Sequence, residues 1–500
     1  MELTEAREQL KALQEQMSAY DHAVSLISYD GETTAPRGTA QNRAHALGVL
    51  TEIMYKLSTG EETVALLEYL DLNREALTQR EQRQVYLLFK DIRFAQKIPM
   101  EEYVAFERDI VESQTAWRTA KENSDFAAFA PHLEKMFDYK RRFAHYAAPE
   151  KDPYDFWLDD YEPGLSREKC DAFFDTLRQR LVPLIRACGE KPVISDECLK
   201  GDFPDDQQEA LAKYLMKLMG LNLEQVGLST TEHPFTTSIG SHLDERITTH
   251  YHRDDFSCSM YSVIHEGGHA LYDTGSDEDL AYTALDGGVS MGIHESQSRF
   301  YENILGRSPA FIQFLFPRLR EFFPDALKNV TWQEVCRAVN RVQPSLIRTE
   351  ADEVTYCLHV MIRYELEKRV MSGELSVADL PGEWNRLYKE YLGVDVPDDR
   401  RGVLQDSHWS FAAIGYFPSY ALGSAYGAQF LARMKESEDV DDCLARGDFA
   451  PINDWNRRHI WRFGSLYTPA QILDRALGEP FDPSYYIQYL EQKCIAMYGL

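Results

Sequence analysis

No run in this chain approaches the roughly 18 uninterrupted apolar residues that a membrane-spanning helix needs, so a membrane is not among the expected partners. Basic residues are scarce: 53 Lys and Arg stand against 81 Asp and Glu, a formal net charge of −28. That balance argues against nucleic-acid binding, which needs a cationic footprint to displace phosphate counterions. It argues equally against docking on an anionic lipid surface. The eight cysteines (Cys170, Cys188, Cys198, Cys258, Cys336, Cys357, Cys443 and Cys494) include no C-x-x-C pair. Scattered thiols in a large chain read as free and buried rather than as a disulfide framework. The N-terminus has no basic stretch leading into an apolar run. A secretory signal is therefore not expected, and the protein reads as cytoplasmic and reduced. Repeats, low-complexity tracts and flexible linkers are missing as well.

What is present is a 500-residue chain with 44% hydrophobic and 27% charged residues, both ordinary for a globular protein able to enclose a deep cleft. Helical periodicity dominates. Leu10, Leu13, Met17 and Tyr20 recur at helical spacing, as do Leu47, Leu50, Ile53, Met54 and Leu57. Helices are expected over 259–273, 288–306, 310–322, 332–341, 352–372, 379–392, 418–436 and 483–497. The one strand region is 233–252, where Arg246 to His252 is rich in β-branched and aromatic residues. The expected fold is mainly α, one catalytic unit over residues 1–500 that could divide into two lobes around a cleft, with a small sheet near its middle. Nine of the 14 histidines fall between His233 and His408, which points to where the chemistry lies.

Residues 265–269 read His-Glu-Gly-Gly-His. On a helix, His265 and His269 share one face a turn apart and can bind one metal, with Glu266 beside them able to reach a metal-bound water. Gly267 and Gly268 are costly inside a helix, about 1 kcal/mol each against alanine; a close approach of neighbouring backbone would explain them. A catalytic zinc takes three protein ligands and leaves a position open, whereas a structural zinc closes all four with Cys or His. The extended zinc motif that continues Gly-x-x-His is excluded, because its positions hold Tyr272 and Gly275. A di-iron carboxylate bundle would need Glu-x-x-His twice, and it occurs once. The third ligand should then be a glutamate on a returning helix. Glu295, 26 residues after His269, fits, and Glu302 on the same helix is a rival. Asp273 could orient His269 or simply end the helix.

These residues belong to a longer series that resembles the Taq-type thermostable metallocarboxypeptidases. His233-Pro234-Phe235, Asp244-Glu245-Arg246-Ile247-Thr248, the 265–269 motif, His294-Glu295-Ser296-Gln297, Ile347 to Glu353 and Gly402 to Trp409 match that family's motifs in order. Near the N-terminus, Tyr29 stands where the family often has Trp. The resemblance implies an almost all-α peptidase fold with a deep active-site groove and a small sheet beside the zinc helix. It also implies a homodimer, one zinc per chain that cobalt can replace, and peptide substrates with a free C-terminus. Release of the terminal residue would be broad in preference but poor for proline. The resemblance selects Glu295 as the third ligand.

On this reading zinc lowers the pKa of its water to about 7, and Glu266 takes the water's proton and returns it to the leaving amine. His408 and Tyr420, with Tyr416 close behind, are expected to stabilise the oxyanion. The resemblance chooses Arg348 for the substrate carboxylate, with Arg246 second and His233 nearby. Arginine suits that task because its guanidinium meets a carboxylate bidentately. Arg348 could instead pair with Glu350 or Asp352. Arg246 starts the expected strand, along whose edge an extended peptide could lie.

Overall fold

The computed structural model describes residues 2–500 and is mainly helical, with one three-stranded sheet. The N-terminal third is a set of long helices built as their sequences dictate. In the helix Gln79–Lys97, Thr78 and Glu81 form a reciprocal capping box. Val85, Phe89 and Ile92 come at spacings of four and three, and bury one stripe. That stripe meets Leu66, Leu67 and Leu70 of the helix Glu61–Leu72, and Ala6, Leu10 and Leu13 of the helix Leu3–Thr33, in a small apolar cluster separate from the main core. The main core runs from Ile98 to Cys494 and encloses the sheet and the central helices.

Strand β1 (Val226–Thr230) lies parallel to β3 (Glu245–Thr249), and β2 (Thr236–Ser238) pairs antiparallel to β3 from the other side. The order is thus β1-β3-β2. This overturns one expectation. Arg246 sits on the central strand, opposite Gly227 and Thr237 at once, so β3 has no free edge along which a peptide could pair. The predicted strand region covers β2 and β3 but not β1, whose Gly227 and Ser229 weaken its strand signal.

The helices expected beyond the sheet form within a few residues of their predicted ends, among them Phe256–Thr274, Glu353–Met371 and Pro418–Met434. One differs in kind. The region 288–306 is not one α-helix: Met291–Arg299 is α-helical and passes into a π-helical turn over Phe300–Leu305. Beyond the sheet, three short helices, Val440–Arg446, Ala450–His459 and Pro469–Leu477, lie outside the expected set and are too short for periodicity to stand out; before it, the longer helices Arg167–Gly189 and Asp205–Met219 fall outside that set as well.

Candidate active site

The helix Phe256–Thr274 starts at Asp255, whose side chain accepts from the Ser257 N–H at 2.8 Å. Its apolar side, Met260, Val263 and Ile264, is buried in the main core and leaves His265 and His269 on the opposite face. The two glycines between them have different neighbours. A Cβ on Gly268 would stand 2.8 Å from the backbone of Gln297 and Ser298, so the close approach of a second helix requires glycine there. A Cβ on Gly267 would meet the flexible side chain of Met219 instead.

That second helix is Met291–Arg299. Ser290 caps it by accepting from the Ile293 N–H at 3.1 Å, and the buried Glu162 carboxylate accepts from the Gly292 N–H at 2.9 Å. Burial pushes Glu162 up to about 7. Glu295 points back at the histidines: its Oε2 lies 3.8 Å from His265 Nε2 and 3.7 Å from His269 Nε2. Its other oxygen is held by Arg299 Nε at 2.8 Å. From the far side comes the helix Pro418–Met434, whose Gly423 rests directly on Glu295.

Among the described residues, His265, His269 and Glu295 are the one group of three metal-capable side chains, their donor atoms all within 4.8 Å of one another. Donors around a tetrahedral ion with bonds of about 2.0–2.1 Å stand roughly 3.4 Å apart, and the spacings here are close to that. Two imidazole nitrogens and a carboxylate oxygen suit a small divalent first-row ion.

Behind these donors the imidazoles are fixed in orientation. His265 Nδ1 meets Glu302 Oε2 at 2.8 Å. Glu302, the rival of Glu295, thus lies outside the three-donor group and turns His265 from behind. Burial alone would raise the Glu302 pKa, but Arg299, His265 and Arg307 outweigh it and hold the carboxyl well below its ordinary range. His269 Nδ1 meets His294 Nδ1 at 2.6 Å, and His294 Nε2 meets both oxygens of Asp273 at 3.1 Å. Asp273 thus reaches His269 through His294. One proton pattern serves the chain: Asp273 accepts from His294 Nε2–H, His294 Nδ1 accepts from His269 Nδ1–H, and His269 Nε2 keeps its lone pair for a metal. Burial, with the imidazoles of His294 and His265, keeps His269 neutral well below its ordinary pKa.

Glu266 is 7% exposed. Its Oε2 accepts from Thr236 Oγ1 of β2 at 2.6 Å, and burial is the main cause that raises its pKa. Glu266 and His265 open into a groove of roughly 870 Å³, which His233, His250, His252, Tyr356 and Arg348 also line.

The remaining predicted residues divide. His408 Nε2 lies 3.1 Å from the Tyr420 hydroxyl, and the Tyr416 and Tyr420 rings meet edge-on at 5.1 Å. Burial raises the pKa of both phenols, and the charge of Glu295 adds to it. Burial, helped by Arg348 and Arg363, lowers His408 to about 4, so its imidazole is neutral at physiological pH. Arg348 lines the groove, but its Nε and Nη2 donate to Asp406 at 3.1 and 2.9 Å, and its Nη1 to the Tyr356 hydroxyl at 3.1 Å. Its partner is Asp406, not Glu350 or Asp352. Arg246 folds onto Asp244 at 2.7 and 2.9 Å and is not among the groove residues. Sequence reasoning missed Thr236, Arg299, Gly423 and the role of His294. Arg299, four residues after Glu295, carried a readable helix-pair signal; Thr236 and Gly423 carried none.

A helical groove with two histidines and a glutamate converging, and a second glutamate poised beside them, is the site of a metallopeptidase. The chain matches the carboxypeptidase Taq (M32) metallopeptidase family over residues 9–494. It is 37% identical to carboxypeptidase 1 of Bacillus subtilis (strain 168) over the full length of both chains, and 36% identical to thermostable carboxypeptidase 1 of Pyrococcus furiosus over 98% of each. The crystal structure of the M32 carboxypeptidase from Deinococcus radiodurans R1 superposes with a TM-score of 0.96 at 35% identity, over 99% of this chain and 100% of the other. The chain belongs to this family and is a metallocarboxypeptidase. Among the described residues no helix is long and apolar enough to cross a membrane.

Proposed function

We propose that the protein is a zinc carboxypeptidase that trims single residues from the C-termini of peptides, with His265, His269 and Glu295 as ligands and Glu266 as general base. The observation that carries this reading is the pairing of Glu266 with Thr236 at 2.6 Å, beside a three-donor cluster whose His265 opens into the groove. The bound ion would supply Lewis acidity and a water of lowered pKa. Cobalt, with the same charge and a like taste for imidazole, should substitute.

Glu266 Oε2 is occupied by Thr236, which leaves Oε1 to take the attacking water's proton and hand it to the leaving amine. Glu302 and the His294–Asp273 pair keep the ligand imidazoles aimed while charge builds on the scissile carbonyl. Tyr420 or Tyr416, with His408 behind, donates to the oxyanion. His408 Nε2 faces the Tyr420 hydroxyl and so sets which way its proton points. Arg348 and His233 line the groove and are assigned to the peptide's C-terminal end; Arg348 would share its guanidinium between Asp406 and the substrate carboxylate. Arg246, spent on Asp244, is the weaker candidate. A C-terminal proline has a fixed φ and no N–H on the scissile nitrogen, so its release should be poor. We read the chain as one catalytic unit that works as a cytoplasmic homodimer, on family resemblance.

The test compares a blocked dipeptide with its C-terminally amidated analogue, with and without chelator. Cleavage of the free acid alone, abolished by chelation and restored by zinc, supports the reading. Equal cleavage of the amide would replace it with an endopeptidase that ignores the free carboxylate.

A further inference from the structure

The segment 408–416 carries His408 at one end and Tyr416 at the other, and its backbone is not one that local sequence alone would favour. A short 3-10 turn, His408–Phe411, ends at Ala412 with φ +59°, and Gly415 has φ +96°. A Cβ on Gly415 would stand 3.1 Å from the Trp157 side chain, so the segment also runs hard against the helix Pro153–Tyr161. Something must hold it there.

Glu367, on the central helix Glu353–Met371, is fully buried and meets the segment at both ends. Its Oε1 accepts from Trp409 Nε1 at 2.7 Å. Its Oε2 accepts from the Gly415 N–H at 2.9 Å and from the Tyr154 hydroxyl at 2.8 Å. The residue before Trp409 is His408, and the residue after Gly415 is Tyr416. Three donors converge, and two of them are N–H groups that cannot accept, so both oxygens must keep a lone pair turned toward the segment. Burying a carboxylate is costly: burial pushes Glu367 up to about 7, against the pull of these hydrogen bonds and of the buried Lys140. Nothing in the groove touches Glu367, so the catalytic steps make no use of it.

We propose that Glu367 is a positioning residue that clamps the 408–416 segment and thereby sets where His408 and Tyr416 stand relative to the metal centre. The proposal rests on the reading that this segment serves the oxyanion. It implies that Trp409 is chosen for its indole donor and Gly415 for the φ that turns its N–H to the carboxylate, and that the clamp acts on turnover rather than on metal loading or substrate capture.

Zinc-loaded Glu367→Gln tests this, because the amide must turn an N–H toward one of the N–H donors. Metal content, kcat and KM would be measured alongside His408→Ala, Tyr416→Phe and the doubles with Glu367→Gln. The expected result is one zinc per chain, KM within about twofold, and kcat down roughly tenfold to a hundredfold, the scale of ångström misplacement. The losses of Glu367→Gln and of the segment variants should overlap rather than multiply. If His408→Ala is silent while Glu367→Gln still slows turnover and overlaps with Tyr416→Phe, the clamp stands and the assignment of His408 falls. A Glu367→Gln enzyme with wild-type kcat, or losses that multiply with both segment variants, overturns the clamp. Should Glu367→Gln not fold, Trp409→Phe removes one donor and keeps the carboxylate; it should lower kcat several-fold, and an unchanged kcat would overturn the proposal.

Discussion

Replacing Gly423 with alanine should unload the metal site without touching any residue that binds the ion. The new Cβ would stand 2.7 Å from Glu295 Cβ, 2.8 Å from its Cγ and 2.9 Å from its carbonyl carbon. Non-bonded carbons rest about 3.5–4.0 Å apart, so something must move by roughly 0.7–1 Å. Glu295 cannot simply step aside. Its Oε1 is held by Arg299, and on the other face of its helix the backbone of Gln297 and Ser298 is pressed against Gly268. Metal–ligand distances hold within about 0.2 Å of their ideal values, so the shift exceeds the tolerance several times over. We expect a loss of about tenfold to a hundredfold in metal affinity, the scale seen when a ligand's support is removed, together with an overpacking cost of about 1–3 kcal/mol. Competition against a chelator of known affinity reads the first, and denaturant unfolding with and without saturating metal reads the second. Gly427→Ala, one turn along, is the control: its nearest neighbours are 3.3 and 3.4 Å away, and it should bind metal nearly as the wild type does. A Gly423→Ala protein with wild-type affinity would refute the argument that this helix contact sets the third donor.

The same geometry leads to three further outcomes. His294→Phe leaves His269 Nδ1 without its partner and should weaken metal binding about tenfold to a hundredfold; Asp273→Asn should do so less, and unchanged chelator competition in both would remove the relay from the account. Glu266→Gln should keep its metal while kcat falls by about 10² to 10⁴, and Thr236→Val should lower kcat less, again at full metal content; a metal-loaded Glu266→Gln enzyme of normal rate would refute the general-base role. Glu162 gives a pH signature. Its pKa is raised from 4.5 to about 7 by burial, so between those values the folded state binds the proton more tightly than the unfolded chain. Wild-type stability should therefore fall as pH rises through that window, by about 3 kcal/mol in all, while Glu162→Gln escapes this loss. Urea unfolding at pH 4.5 and pH 8 checks it, and a constant gap between the two proteins would mean that Glu162 does not titrate there.

Much of the site was legible because it is local. The 265–269 motif, the helix around it and the returning helix with Glu295 are all readable from spacing and from family motifs. The hidden part depends on tertiary packing. The His269–His294 contact joins residues on two helices, and only their close crossing at Gly268 brings the rings together. The strand containing Arg246 was recognisable, but its place in the sheet was not, because β1 carries Gly227 and reads weakly as a strand. That missing neighbour is why a free edge was expected where there is none. Glu302 was visible as a candidate beyond Glu295, and periodicity could not tell a ligand from a support, because seven residues, about two helical turns, put both on one face.

The π-helical turn at Phe300–Leu305 is what separates those roles. Its Gly306 N–H reaches back five residues to the Tyr301 carbonyl, so the turn holds one residue more than an α-helix would. Such a turn is in effect an insertion, and it carries a constraint that no substitution scan would detect. Removing Phe300 or Tyr301 alone would keep every ligand and every support, and would leave a more regular helix. It would also turn the residues inside the former bulge relative to Met291–Arg299 while the chain beyond Gly306 keeps its register, taking Glu302 away from both His265 and Arg307. The length of the chain at this point is therefore as much a part of the centre as the residues themselves, and a single-codon deletion here should produce a well-folded protein with a misaimed histidine.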